Sequence, residues 1–174
     1  MILDRASERT PVPWRNGLGV QYEICCDGSL PDDWTWRLST ADITQDVKFS
    51  SFPLVQRHFC VAEGNGVVLN INGIDHVCRP GSVTQFRGDD TVFATLIDGP
   101  MKALNLMARD SAPARNLVIV SANPELMVHQ CDALVAIGTP GTAHYEGSTL
   151  QLQVLDAMLS VGDLALQGVF AQLT

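Results

Sequence analysis

Arginines, tryptophans, carboxylates and an asparagine are spaced through the first third of the chain in a way that suits recognition of a small polar molecule. Pro13-Trp14-Arg15-Asn16-Gly17 precedes Glu23; Trp34-Thr35-Trp36-Arg37-Leu38-Ser39 runs on to Asp42; Phe49-Ser50 and Phe52-Pro53 lead to Arg57. A guanidinium can clamp a carboxylate with two parallel hydrogen bonds, an indole offers a flat apolar face, and an asparagine presents a donor and an acceptor together. The candidate ligand-binding set is therefore Trp14, Arg15, Asn16, Glu23, Trp36, Arg37, Ser39, Asp42 and Arg57. Asn105 and Met107 join it, because they share a strand face that could supply a polar floor and a soft wall. Glu23 is the candidate acid or base, should a dry cavity raise its pKa.

Each residue also has a plainer role. Arg37 can pair internally with Asp42 or Glu23, and Arg15 and Arg57 can do the same or lie solvated. Asn16-Gly17 is a turn signal, and Trp14, Trp36 and Met107 can fill a core. Strict alternation places Trp34, Trp36 and Leu38 on one strand face and Arg37 with Ser39 on the other.

Other chemistries lack their residues. Asn16-Gly17-Leu18-Gly19 has no Lys-Ser/Thr ending for a phosphate loop, and Ser50 and Ser51 have no base near them in sequence. His58, His76, His129 and His144 are isolated, with no His-x-His, so no metal and no cofactor is expected, and each histidine reads as a surface or locally hydrogen-bonded residue. Cys25, Cys26, Cys60, Cys78 and Cys131 form no Cys-x-x-Cys pair, and their odd number suits a reducing compartment. Eleven basic against 19 acidic residues give a net charge of -8, which opposes a nucleic-acid partner. No basic segment leads into an apolar run and no apolar stretch is long enough to span a bilayer, so the expectation is a soluble cytoplasmic protein without a membrane partner.

The elements that must position these residues are short alternating runs: 21–26, 34–40, 58–62, 66–71, 76–78, 83–86, 92–97, 103–107 and 116–120. Their length favours strands, and Asn72-Gly73 between two of them predicts a hairpin with a type I′ turn. An all-β sandwich or barrel follows. Weak helical signals remain at 39–46 and 121–127. A faint repeat relates the segment from Gly66 to that from Gly147, which divides the chain into an amino-terminal unit, 1–110, carrying the pocket, and a shorter carboxyl-terminal unit, 111–174, entered through Ser111-Ala112-Pro113. An uncovered sheet edge would favour a homodimer.

Taken in order, Pro13 to Gly17 with Gly19 and Tyr22-Glu23-Ile24, Trp36 to Ser39 with Ala41-Asp42-Ile43, Phe49-Ser50, Phe52-Pro53, Arg57, Gly64, Gly66, Phe86 with Gly88-Asp89, Gly99-Pro100 and Asn105-Leu106-Met107 resemble the HutD/Ves family of cupin-like proteins. The resemblance implies a double-stranded β-helix of the cupin or jelly-roll type, a compact bicupin with both β units in one chain and without the usual metal triad. It also links the chain to histidine utilisation on the HutD side and to stress response on the Ves side. The chain departs from the pattern at Leu18, Val20-Gln21 and Ala103, and at Leu54, where a glycine usually follows Phe-Pro. The expected function is metal-independent binding or sensing of a small carboxylated or imidazole-bearing metabolite, with a regulatory or stress-related output. An interaction module, or an isomerase or lyase using Glu23, are the alternatives.

Overall fold

The computed structural model describes residues 1–29 and 33–174. Its strands are β1 (Ile2–Asp4), β2 (Pro11–Pro13), β3 (Val20–Ser29), β4 (Asp33–Ile43), β5 (Val47–Lys48) and β6 (Val55–Glu63). They continue as β7 (Val67–Ile71), β8 (Ile74–Cys78), β9 (Val83–Arg87), β10 (Val92–Leu96), β11 (Met101–Arg109) and β12 (Leu117–Val128). The last are β13 (Cys131–Ala136), β14 (Gly141–Tyr145), β15 (Ser148–Leu152), β16 (Ala157–Val161) and β17 (Leu164–Leu173). Among the described residues the helical content is a single turn at Ala6–Glu8, and no helix is long and apolar enough to cross a membrane. The helical signals at 39–46 and 121–127 lose to strand pairing. Residues up to Ile43 complete β4 against β11, and the later stretch belongs to β12, whose pairing with β17 slips between Ala122 and Leu126.

Backbone contacts divide the chain into Thr10–Arg115 and a second unit made of Met1–Arg9 with Asn116–Thr174. In the first, a six-stranded sheet ordered β2-β3-β4-β11-β6-β9 and a four-stranded sheet ordered β5-β10-β7-β8 supply one shared core. Ile43, Phe59, Val61, Phe86 and Met101 come from the larger sheet, and Val47, Val67, Leu69, Ile71, Val92 and Ala94 from the smaller. The β7–β8 hairpin turns at Asn72 and Gly73 with φ of 51° and 89°, the paired positive angles of a type I′ turn.

The register of the larger sheet lines up its inward residues in rows. Ile43 lies opposite Met101; Ala41 opposite Ala103 and Val61; Ser39 opposite Asn105 and Phe59; Arg37 opposite Met107 and Arg57. Along one sheet face the chain passes from large apolar groups, through alanines, to a polar end. The small Ala41 and Ser39 line the space left between the two extremes.

The second unit is one sheet, ordered β1-β16-β13-β17-β14-β15 with β12 also on β17. The first nine residues belong here, through β1 on β16. Asp156 anchors them, accepting hydrogen bonds from Arg5 Nη1 at 2.5 Å and from the amides of Ala6 at 2.9 Å and Gln153 at 3.0 Å. Burial opposes its ionisation, but these donors outweigh burial and hold the carboxyl below its usual range.

Leu54 adopts φ 61° in the turn ahead of β6, a conformation that costs a side-chain-bearing residue energy, and its side chain is 69% exposed. Leu54→Gly should therefore stabilise the protein by about 0.5–1 kcal/mol, the relief of backbone strain exceeding the added chain entropy. Urea unfolding checks this: an unchanged or lower midpoint would mean that the turn is not strained.

Candidate functional site

A cavity of about 360 Å³ occupies the polar end of the first unit. Arg37, Ser39 and Ala41 line it from β4, Asn105 and Met107 from β11, Arg57 from β6 and Gln21 from β3. Val12, Pro13, Trp14 and Arg15 close one side, and Phe49, Ser50 and Phe52 another. Val12, Pro13 and Arg15 are exposed whereas Arg37, Arg57, Asn105 and Met107 are buried, so the cavity runs from the surface to a deep, positively charged floor.

Two loops build its walls. The amide of Gly17 donates to the carbonyl of Trp14 and that of Trp14 to the carbonyl of Gly19, both at 2.9 Å, which folds the indole back over the chain. A Cβ on Gly19 would meet that ring at 2.9 Å, so glycine is needed there for close packing. The other loop is held where the amide of Phe49 donates to Val92 O at 3.0 Å and that of Phe52 to Gly88 O at 2.7 Å. Trp14 then meets Phe49 edge-on, with centroids 6.3 Å apart.

The floor is dominated by two guanidiniums in the same row, one strand to either side of Met107. Arg57 lies over the rings of Phe86 at 4.9 Å and Phe49 at 5.0 Å, and its Nη2 donates to Asn105 Oδ1 at 3.4 Å. Among the described residues no carboxylate lies within 4.0 Å of Arg57, and its Nε finds no hydrogen-bond partner. Burial and the nearby Arg37 charge push its pKa down to about 9, leaving it cationic at neutral pH. Arg37 donates to Gln21 Oε1 at 3.3 Å and to Met107 Sδ at 3.5 Å, stacks 5.1 Å from Trp34, and has Glu23 Oε2 3.8 Å from its Nη1.

Trp34 reaches Arg37 because β4 does not alternate strictly. Cys26 pairs with Arg37 while Gly28 pairs with Trp34, so β4 carries one extra residue between these points. Asp27 holds that bulge: its carboxylate accepts from the amides of Thr35 at 2.8 Å and Trp36 at 2.7 Å and from the Thr35 hydroxyl. Trp34 is thereby moved from the face expected for it and packs with Met107 and Val55. Trp36 is buried and its ring lies 4.7 Å from the Arg115 guanidinium, not on the cavity.

The cavity thus gathers Trp14, Arg15, Arg37, Ser39, Arg57, Asn105 and Met107 from the expected set. Asn16 instead supports its own loop, donating to Lys48 O at 3.1 Å and accepting from the Leu18 amide. Asp42 points to the opposite sheet face, where it accepts from the Tyr22 hydroxyl at 3.3 Å; that pairing replaces the ion pair to Arg37 considered from sequence. Glu23 does not line the cavity but stands beside Arg37, both oxygens buried without a hydrogen-bond partner among the described residues. Gln21, Ile43, Phe49, Ser50 and Phe52 also line it, with Val12, Pro13 and Ala41. The two Phe-Ser/Phe-Pro landmarks flagged that loop, whereas nothing in its sequence marked Gln21. His58 departs from the surface expectation: it is buried, its Nδ1 has no partner among the described residues, and burial pushes its pKa down. Among the described residues no three His, Cys, Asp or Glu side chains are grouped to hold a metal ion.

Facing antiparallel sheets with an arginine-floored cavity between loops define a cupin-like protein. A cupin 2 conserved barrel domain protein from Leptotrichia buccalis shares the fold alone, with TM-score 0.59, 12% identity and 97% of each chain covered. The chain belongs to the HutD family, whose model matches residues 6–170. The structure is similar to HutD from Pseudomonas fluorescens SBW25, with TM-score 0.78, 29% identity and coverage of 99% of this chain and 97% of that one. A conserved protein of unknown function from Pseudomonas aeruginosa PAO1 gives TM-score 0.83, 28% identity and the same coverage. Protein Ves from Citrobacter koseri is 41% identical over 98 residues, 55% of this chain and 51% of that protein, so the match spans about half the length of this relative.

Burial raises the Glu23 pKa from 4.5 to about 7, with Arg37 opposing the shift. Between those values the folded chain keeps a proton that the unfolded chain has released, so this group lowers stability as pH rises through the window. Relative to Glu23→Gln, the wild type should lose up to about 3 kcal/mol from pH 4.5 to 7 and then level off. Parallel stability profiles for the two proteins would show that Glu23 titrates normally.

Proposed function

We propose that this protein binds a small carboxylate-bearing metabolite in the arginine-floored cavity and acts as a metal-independent sensor or regulator in the cytoplasm. The observation that carries the reading is Arg57, a buried cation with no carboxylate within 4.0 Å among the described residues, at the floor of a cavity of about 360 Å³. A buried guanidinium is stable only when its charge is met, and the aromatic contacts and Asn105 meet it in part. A ligand carboxylate would complete the set. Arg37, Asn105 and Ser39 supply neighbouring donors, while Phe49, Phe52 and Trp14 offer flat apolar walls for a planar or aliphatic body. Imidazole-bearing acids fit this description, and membership of the HutD family supports a link to histidine utilisation. We read the two β units as the halves of a bicupin in which the Thr10–Arg115 unit carries the binding site.

Thermal denaturation with urocanate, histidine, N-formylglutamate, glutarate and uncharged sugars tests the proposal. Carboxylates should raise Tm by about 5–10 °C at concentrations near a hundred times Kd, and the sugars should not. In Arg57→Met the shift should vanish while the ligand-free protein gains about 1–3 kcal/mol, because a charge met only in part has been removed from the interior. Shifts that persist in Arg57→Met, or their absence for every carboxylate, would reject the cavity as a carboxylate receptor.

A further inference from the structure

The polar end of the first unit holds more charge than its lining displays. Arg37 and Arg57 face the cavity, and Glu23, behind the lining on β3, places Oε2 3.8 Å from Arg37 Nη1. Glu23 is poorly provided for, since neither oxygen has a hydrogen-bond donor among the described residues although both are buried. Its attraction to Arg37 is what favours its charged form.

The charged and titratable groups around it are few. Arg37 faces it from β4, with Ser39 directly opposite in the register, and the Cys26 thiol lies on its own strand. Asp27 is committed to the amides of Thr35 and Trp36, and Tyr22 and Asp42 bond to each other on the other face of the sheet. From β11, the Met107 thioether contacts Arg37 and brings no charge. No second cation among these can hold Glu23 ionised once Arg37 is shared.

We propose that carboxylate binding in the cavity is coupled to uptake of one proton from solvent by Glu23, which exchanges its contact with Arg37 for the ligand's. This rests on the cavity being the carboxylate receptor read above. An arriving carboxylate draws on the Arg37 charge from the cavity side and repels the Glu23 carboxylate behind it. Water cannot screen the two anions at a buried site, so one of them is neutralised. The ligand keeps both guanidiniums, whereas Glu23 has one, so the proton goes to a Glu23 oxygen. No covalent bond to the ligand forms or breaks. Glu23 then serves as a counter-ion that keeps Arg37 matched in the empty protein and gives it up on occupancy, which makes affinity for the same anion depend on pH.

Calorimetric titration of glutarate and of benzoate, in buffers of differing ionisation heat, reads the proton count directly. Wild type should take up a fraction of a proton near neutral pH, approaching one at about pH 8, and its affinity should fall by up to about tenfold per pH unit above neutrality. Glu23→Gln should bind with no uptake and a flat profile, about equal to wild type near pH 6 and roughly tenfold tighter near pH 8. Binding by wild type without uptake, with affinity constant over this range, overturns the proposal. Uptake that persists in Glu23→Gln overturns Glu23 as the acceptor. If neither of these acids nor urocanate, histidine or N-formylglutamate binds wild type at any pH, the carboxylate-receptor reading fails and takes this inference with it, an outcome distinct from binding without protons. Should Glu23→Gln fail to fold, the wild-type proton count and pH profile decide alone.

Discussion

A guanidinium inside a β-sandwich must be held by something other than bulk water, and here two of them share one row of one sheet. Arg37 and Arg57 flank Met107 across adjacent strands, so their backbones are roughly 10 Å apart and their charges repel. The surroundings can be read as responses to that constraint. Aromatic faces cover Arg57, Gln21 and the bulge-carried Trp34 receive Arg37, and Asn105 turns its oxygen to Arg57. A chain with net charge -8 thus carries a local positive centre in its interior. The field of the whole protein would oppose entry of an anion, while the floor of the cavity would favour its residence.

The cavity itself comes from what the strands leave out. Ala41 and Ser39 line it, where larger inward side chains would fill the space. Loops then provide the walls: the 49–52 loop is tied to the scaffold by backbone hydrogen bonds to Val92 and Gly88, while the 14–19 loop closes on itself and reaches Lys48 O through Asn16. Recognition groups on strands and shape on loops is a division that permits the walls to change while the charged floor stays rigid.

The strands were legible because alternation and turn residues agree over most of the first unit: Asn72-Gly73 alone specifies a hairpin. The same two-residue period put Arg37 with Ser39, and Asn105 with Met107, on shared strand faces, but which faces turn inward it left open. Trp34 could not, since the bulge depends on Asp27 bonding to amides eight and nine residues away, an interaction without a local signature. Asn16 and Asp42 have the right chemistry for a ligand but spend it on Lys48, Leu18 and Tyr22. Ala41 matters by being small, and an alanine in a strand announces nothing about the space beside it. The later unit was harder to read because one of its strands is β1, separated from its partner β16 by most of the chain.

That strand sets an order on biosynthesis. β1 is made long before its partner β16, whereas Thr10–Arg115, made between them, contains all the strands of its own two sheets. During translation the first unit can close while the opening segment waits, its Arg5 without Asp156 and its edge without β16. β1 therefore cannot be locked in until β16 has been made, after the whole of Thr10–Arg115.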